Sequence, residues 1–417
     1  MRRTLSAFQV AALLVSASYG IGFLLGSGEM AMTYGMGGSI YGLATAFGML
    51  LLTFFAARLW RSGMSIWDFF GAAFGERSRQ AVALLSVIWM AGVLAAQIHG
   101  GVAILNLLGL SAIAAYALVL LCILVASRLN LRTASAVLSV FLLASGVVLV
   151  LALINGNGGA IYLKSPQRFI ADAPLLGIGA MVSISVAVAA LVCTGADYHQ
   201  FLLAARRASG AVWGCLIAAG CLIAVSFLPA SVVLGFKEGG HLTNLSDAKQ
   251  IIPFILAQEV GHLGAAIGST LLLGLSAAAL GSGAAITRAM TEALDSATQG
   301  IEFVSGIRAS LVALGMATAL AARGQGIVAT MVSVNVIYIG SIAIVFVALL
   351  ANWKLTASQA SLIMGTGFVA SAGVYLLAWA GARFTDGDLA SLLAGLVASA
   401  SVFCIVAIAG KLRKLPS

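Results

Sequence analysis

Residues 16–35 read SASYGIGFLLGSGEMAMTYG. The stretch is apolar enough to lie in lipid, yet it holds Gly20, Gly22, Gly26 and Gly28, followed by the carboxylate of Glu29. Glycine at that density weakens a helix. Where a membrane helix unwinds, its freed backbone carbonyls can coordinate a cation. Close helix packing through small residues explains the glycines equally well. It does not explain Glu29, because a carboxylate inside an apolar span needs a partner or water.

The composition around this stretch is that of a lipid-embedded chain. Of 417 residues, 61% are hydrophobic and 8% charged, against about 25% charged in soluble domains. So few charges cannot cover a water-facing surface, and no polar stretch is long enough to fold outside the membrane. The expectation is one polytopic domain over residues 1–417. The net charge of +9 comes from short Lys/Arg clusters between apolar runs, where they set topology and do not bind nucleic acid.

Segments of roughly 20 apolar residues span a bilayer. They fall near 7–34, 37–60, 80–108, 110–127, 132–155, 174–203, 209–235, 263–289, 303–322, 325–350, 357–381 and 389–410, which makes twelve. With the N-terminus placed inside, sixteen basic residues lie on the cytoplasmic side: Arg2, Arg3, Arg58, Arg61, Arg77, Arg79, Arg128, Arg132, Arg206, Arg207, Arg288, Arg308, Lys354, Lys411, Arg413 and Lys414. Six lie outside: Lys164, Arg168, Lys237, Lys249, Arg323 and Arg383. The split predicts a multi-pass protein of the cell (inner) membrane with both termini cytoplasmic. Met1-Arg2-Arg3 and Ser16-Ala17-Ser18 imitate a signal peptide, but the apolar run continues through Leu25, as a span would.

Two connections stand out. Residues 61–79 form an amphipathic cytoplasmic segment that places Trp67, Phe69, Phe70 and Phe74 at the membrane interface. Within 236–262, IIPFILA is too short to span and reads either as a re-entrant or lid helix or as a surface loop. The five cysteines (Cys122, Cys193, Cys215, Cys221, Cys404) lie in apolar runs without metal-ligand spacing and read as small buried residues. His99, His199, His241 and His262 are scattered, and no metalloprotease, Walker A or nucleophile-elbow motif is present, so the chain does not read as an enzyme.

Polar groups deep in spans mark function or interhelical hydrogen bonds. A substrate cavity is predicted around Gly22, Phe23, Gln97, His99, Ser183 and Asn335. Transporters with inverted repeats break the first helix of each repeat, and Gly20-Ile21-Gly22 is echoed by Gly177-Ile178-Gly179. In the stretch LGLSAAALGSGAAITRAMTEAL, within and just beyond the span near 263–289, Ser276, Ser282 and Thr287 are the hydroxyls of the apolar part. Each either bonds a preceding carbonyl or offers oxygen to a hard cation.

Four stretches carry a family resemblance. They are Gly26-Ser27-Gly28 with Tyr34-Gly35, Ser65-Ile66-Trp67-Asp68-Phe69-Phe70 with Phe74-Gly75, Asp197-Tyr198-His199-Gln200 with Ala204-Ala205, and Lys354-Leu355-Thr356-Ala357 leading to Gly365. In order and spacing they resemble the sodium:solute symporters, relatives of the sodium/proline and sodium/glucose carriers, over about residues 8–370. The resemblance implies an all-α membrane protein of LeuT-type fold. Its inverted five-helix repeats would cover about 7–155 and 174–350, with two further helices at about 357–410. It also implies a sodium ion as coupling ion, with no other cofactor, held by the Ser16 and Tyr19 carbonyls and the Ser276 hydroxyl. The next position, usually a second hydroxyl, is Ala277 here. The function so implied is sodium-coupled symport of a small polar organic solute across the lipid bilayer. A sodium-independent carrier and a solute-sensing transceptor of the same fold are the alternatives.

Overall fold

The computed structural model describes residues 3–128, 131–240, 242, 245, 247–261, 264–298, 306–382 and 384–412, except for the side chains of 131–142, 265, 278 and 409–412. Arg2, Arg383, Arg413, Lys414, His241 and His262 lie outside the described residues, as do the side chains of Arg132 and Lys411.

Nineteen α-helices make up the described chain. A first group comprises α1 (Ala7–Ser18), α2 (Ile21–Tyr34), α3 (Ile40–Ser62), α4 (Ile66–Phe74), α5 (Glu76–Leu107), α6 (Ala112–Ala126) and α7 (Leu131–Asn155). The short α8 (Gly159–Leu163) and α9 (Ser165–Asp172) lead to α10 (Ile178–Thr194) and α11 (Ala196–Leu203). Then come α12 (Ala208–Ser226), α13 (Leu228–Glu238), α14 (Ile251–Gly261), α15 (Ala265–Thr298), α16 (Gly306–Ala321), α17 (Ile327–Leu350), α18 (Ala357–Trp379) and α19 (Gly387–Leu412).

Local chemistry sets many of the ends. Ser6 with Gln9, and Thr356 with Gln359, form capping boxes that start α1 and α18. The Ser65 and Ser111 hydroxyls cap α4 and α6. Gly63, with φ +68, ends α3 in the left-handed conformation that a Cβ disfavours.

Among the described residues, seven helices are long and apolar enough to cross a membrane, or eight if the pair Ser165–Leu176 and Ile178–Thr194, bent by 111°, is one span. Ala7–Ser18, Ala112–Ala126, Leu143–Asn155 and Gly306–Ala321 are shorter apolar helices. The run Ile21–Ser62 is 42 residues long, about twice one crossing. It folds back at the 3-10 turn Gly35–Ser39, where Gly38 rests on the backbone of Ser27 and Ala31. Each of the twelve sequence segments lands on one helix or on two helices in succession.

The centre is formed by α5 and α17, whose spanning windows are each 78% buried. They approach closely at Gly92, where a Cβ would collide with Val334. The periphery is inverted relative to a soluble protein. Phe54, Ile113 and Ile178 are at least 80% exposed, an apolar exterior that lipid covers.

Two expectations need correction, and one alternative falls away. Phe70 and Phe74 are buried in the core beside Phe346, not at the membrane interface. Cys221 and Cys404 are exposed on the outer face, and Cys122 is half-buried. Between 251 and 261 the chain is a buried helix, since Ile251, Ile252, Ile255 and Leu256 are fully covered, which excludes the surface loop.

Candidate substrate cavity and its two broken helices

The break between α1 and α2 leaves backbone groups open. The Tyr19 N–H still bonds the Val15 carbonyl and the Leu24 N–H bonds Gly20, but among the described residues no hydrogen bond reaches the carbonyls of Ser16, Ala17, Ser18 or Tyr19. Nor do the N–H groups of Ile21, Gly22 and Phe23 donate. Groups left free at helix ends seek water, side chains or ligands.

The second break behaves differently. The chain leaves helical geometry at Gly195, between α10 and α11, and the protein's own side chains fill the gap. His199 Nε2 lies 2.8 Å from the Cys193 carbonyl, and the Tyr338 hydroxyl donates to Thr194 over 3.2 Å. Gly177-Ile178-Gly179, the expected echo of Gly20-Ile21-Gly22, is not this break. It forms the sharp turn into α10, with Gly177 at φ +78.

A cavity of about 590 Å³ reaches the first break. Gly63, Ser65, Trp67 and Leu203 line it toward the end that carries Arg58, Arg61, Arg77 and Arg79. Inward it reaches Ala17 and Gly20 beside the break, Trp89 and Gln97 on α5, Asp197 and His199 on α11, and Ser282 and Ala285 on α15. Trp89 and Gln97 sit about 20 and 31 Å along α5 from its start, at 1.5 Å per residue.

Further along α2 the path is plugged. The Phe23 ring lies 5.2 Å from Tyr19 and 6.3 Å from Tyr41, and the Tyr41 hydroxyl is 3.8 Å from the Met331 sulfur. Beyond the plug, a 300 Å³ cavity is lined by Glu29, Ser183, Val332, Asp386 and Asp388. Glu29 finds the partners its burial demands. Its Oε2 accepts from the Ile327 N–H at the start of α17 (2.8 Å), and Lys249 lies 3.8 Å from Oε1.

The structure thus distributes the predicted residues. Gln97 lines the larger cavity and Ser183 the smaller, where its hydroxyl donates to the Ala180 carbonyl. Gly22 packs on Met331 and Phe23 belongs to the plug. His99 does not line the larger cavity, because two residues on a helix differ by about 200°, which turns it away from the Gln97 face. Asn335 is fully buried with neither amide atom partnered. Ser16 and Tyr19 line an apolar groove with Leu143 and Cys221 on the lipid side. Ser276 is buried and does not line the larger cavity; Ser282 does.

The cavity adds Trp89, Asp197, His199 and Glu292 to the residues the sequence singled out for the site. Asp197 carried the available signal, a carboxylate two residues after the glycine that ends an apolar run.

No family model and no curated protein matches this chain. Solved structures do. A Na+-coupled sialic acid symporter in a substrate-bound outward-open state superposes with a TM-score of 0.68 at 15% identity, covering 97% of this chain and 90% of that one. A nucleobase-cation-symport-1 family transporter, closed with bromovinylhydantoin bound, gives 0.60 at 15% identity, covering 98% and 94%. A manganese transporter from Eremococcus coleocola, in complex with an aromatic bis-isothiourea substituted compound, gives 0.52 at 16%, covering 99% and 88%. At such identities the likeness defines the fold, and that fold is the LeuT type.

Proposed function

We propose that this chain is a secondary active transporter that moves a small polar organic solute by alternating access, and that it is related to the sodium:solute symporters. The observation that carries the reading is the 590 Å³ cavity, which enters from one end and stops at a broken helix beneath a plug. Inverted repeats over about 7–155 and 174–350 are supported by a broken helix at the start of each. They are also supported by an inserted helix, α4 or α14, after the second spanning segment of each half. In this reading both termini are cytoplasmic and the cavity faces the cytoplasm.

Sodium is the proposed driving ion, because the unpaired carbonyls of Ser16–Tyr19 are the oxygen donors that an unwound helix supplies. Ser276→Ala should abolish sodium-stimulated uptake in proteoliposomes, whereas Ala277→Ser should strengthen it. If Ser282→Ala abolishes it and Ser276→Ala does not, the cavity-lining hydroxyl is the ligand. Ser276 lies off the cavity that meets the first break, and this favours a second reading, a sodium-independent carrier. Uptake that is equal with and without a sodium gradient, and unmoved by all three substitutions, decides for it.

A further inference from the structure

On the lipid side, a groove of about 870 Å³ runs between α1, α7 and α12, and among the described residues no charged side chain lines it. Ala11, Ala12 and Gly146 contribute little volume to its lining, whereas Phe8 and Leu143, 75% and 71% exposed, stand out from the surface. A Cβ at Gly146 would meet only the Tyr19 ring, at 3.9 Å. Leu143, Val147 and Leu151 line the groove at four-residue intervals, which puts them on one face of α7. The surface here is a furrow of side chains, open to lipid and not filled by the protein.

Both α1 and α12 begin at the same end of this furrow. They pack in parallel, with Gly210 against Ala7 and Gly214 against Val10. Arg206 and Arg207 directly precede α12 and are exposed. The Arg206 N–H bonds the Leu5 carbonyl, three residues before Phe8. The two arginines therefore stand at the Phe8 end of the groove. Among the described residues neither forms an ion pair. Arg3, by contrast, is engaged with Trp60.

The dimensions are those of one leaflet. From Phe8 to Tyr19 the groove follows α1 for eleven residues, about 16 Å at 1.5 Å per residue, against about 15 Å for half the hydrocarbon core. From Arg207 to Cys221 along α12 is fourteen residues, about 21 Å, and half a bilayer including its headgroups is about 20–22 Å. A molecule with its anion at the arginines and its chain in the groove thus ends near the midplane. Guanidinium groups suit a phosphate because they present paired N–H donors as well as charge.

Going beyond the transport reading, we propose that this groove is a site for an anionic phospholipid of the leaflet at the Arg206 end. An acyl chain lies between α1 and α7, and the phosphate sits at Arg206 and Arg207. The upper end of that chain reaches Ser16 and Tyr19, so the lipid touches the protein at the first helix break.

The test uses the purified full-length chain in detergent, stripped of lipid, with unfolding temperature as the readout. Phosphatidylglycerol, phosphatidylcholine and glycerol 3-phosphate are the separate probes. Phosphatidylglycerol should stabilise at a concentration about tenfold or more below that needed for phosphatidylcholine, the scale of two arginines at an anionic lipid. Glycerol 3-phosphate, which has the phosphate without the chain, should not stabilise. Replacing both Arg206→Gln and Arg207→Gln should erase the preference between the two lipids. The Arg206 tie to Leu5 runs through the backbone N–H, so it survives that change. Arg77→Gln, at the start of α5 outside the groove, should leave the preference intact. Gly146→Leu should weaken stabilisation by both lipids by filling the groove, and the arginine variant keeps the question answerable should this one not fold.

Equal stabilisation by the two lipids overturns the anionic headgroup. Stabilisation by glycerol 3-phosphate as strong as by phosphatidylglycerol overturns the seat for the chain. A preference that survives the arginine replacements, or that Arg77→Gln removes equally, overturns the site. So does the absence of any response to phosphatidylglycerol.

Discussion

At the Glu29 end of the bundle, polar side chains reach from helix to helix. Glu29 joins α2 to the start of α17 and to Lys249, just ahead of α14. Lys237 donates to the Met32 carbonyl, Asp172 accepts from the Met36 N–H, Asn155 donates to Glu259, and Arg168 pairs with Glu238. At the Arg58 end there is instead a cavity with Trp67, Ser65 and Gly63 on its lining. One end is closed by individually replaceable polar ties and the other is held apart. Polar ties suit a closure that must reopen, because water can take over each bond at a net cost of about 1 kcal/mol. A fused apolar core would have no such substitute.

The largest effect should come from filling the open end. Ala285 faces the cavity and is exposed there, so Ala285→Trp should remove nearly all uptake while the protein remains folded on size-exclusion chromatography. Retained uptake would mean the solute travels elsewhere and would dissolve the contrast between the ends.

An intermediate effect is expected at Glu29. Its side chain is 15% exposed and that of Lys249 14%, so Glu29→Gln removes a partly buried charge from both Lys249 and the Ile327 N–H. The loss is about 1.5–3 kcal/mol toward opening. Val332→Cys, fully buried in the smaller cavity, reports on it. In the Glu29→Gln background a water-soluble thiol reagent should modify that cysteine at least about tenfold faster, and an unchanged rate would show that Glu29 does not hold this end shut. The smallest effect belongs to Arg168→Ala. That ion pair is 38% and 56% exposed and contributes about 0–1 kcal/mol, so uptake should stay within about twofold of the parent.

How much of this was legible in the sequence differs from residue to residue. Helical spans follow from apolar run lengths, and the break at Tyr19–Gly20 from glycine density, because both are local properties. Glu29 announced itself as a carboxylate needing a partner, but Ile327 and Lys249 are remote in sequence, and only the packing of α17 and α14 on α2 supplies them. The site was legible only in part for the same reason. Gln97 and His99 look equivalent in a string of letters, yet helical rotation separates them. Ser276 and Ser282 differ by six residues, so they too face apart, and run length carries no such angle. The second break escaped because Gly195 is one glycine with an ordinary φ of −70°. What distinguishes it is His199 and Tyr338 arriving at its carbonyls.

The chain's first described residues carry one more consequence. The Thr4 and Leu5 N–H groups both bond the Ala204 carbonyl, and the Arg206 N–H bonds Leu5. Trp60 donates to Ala205 while Arg3 stacks on its ring at 4.0 Å. The stub of α1 is thereby pinned to the foot of α11. The lower pieces of the two interrupted helices, nearly two hundred residues apart in sequence, are thus tied to each other by backbone hydrogen bonds. Separating the two pieces would break these backbone bonds, each worth about 1 kcal/mol net.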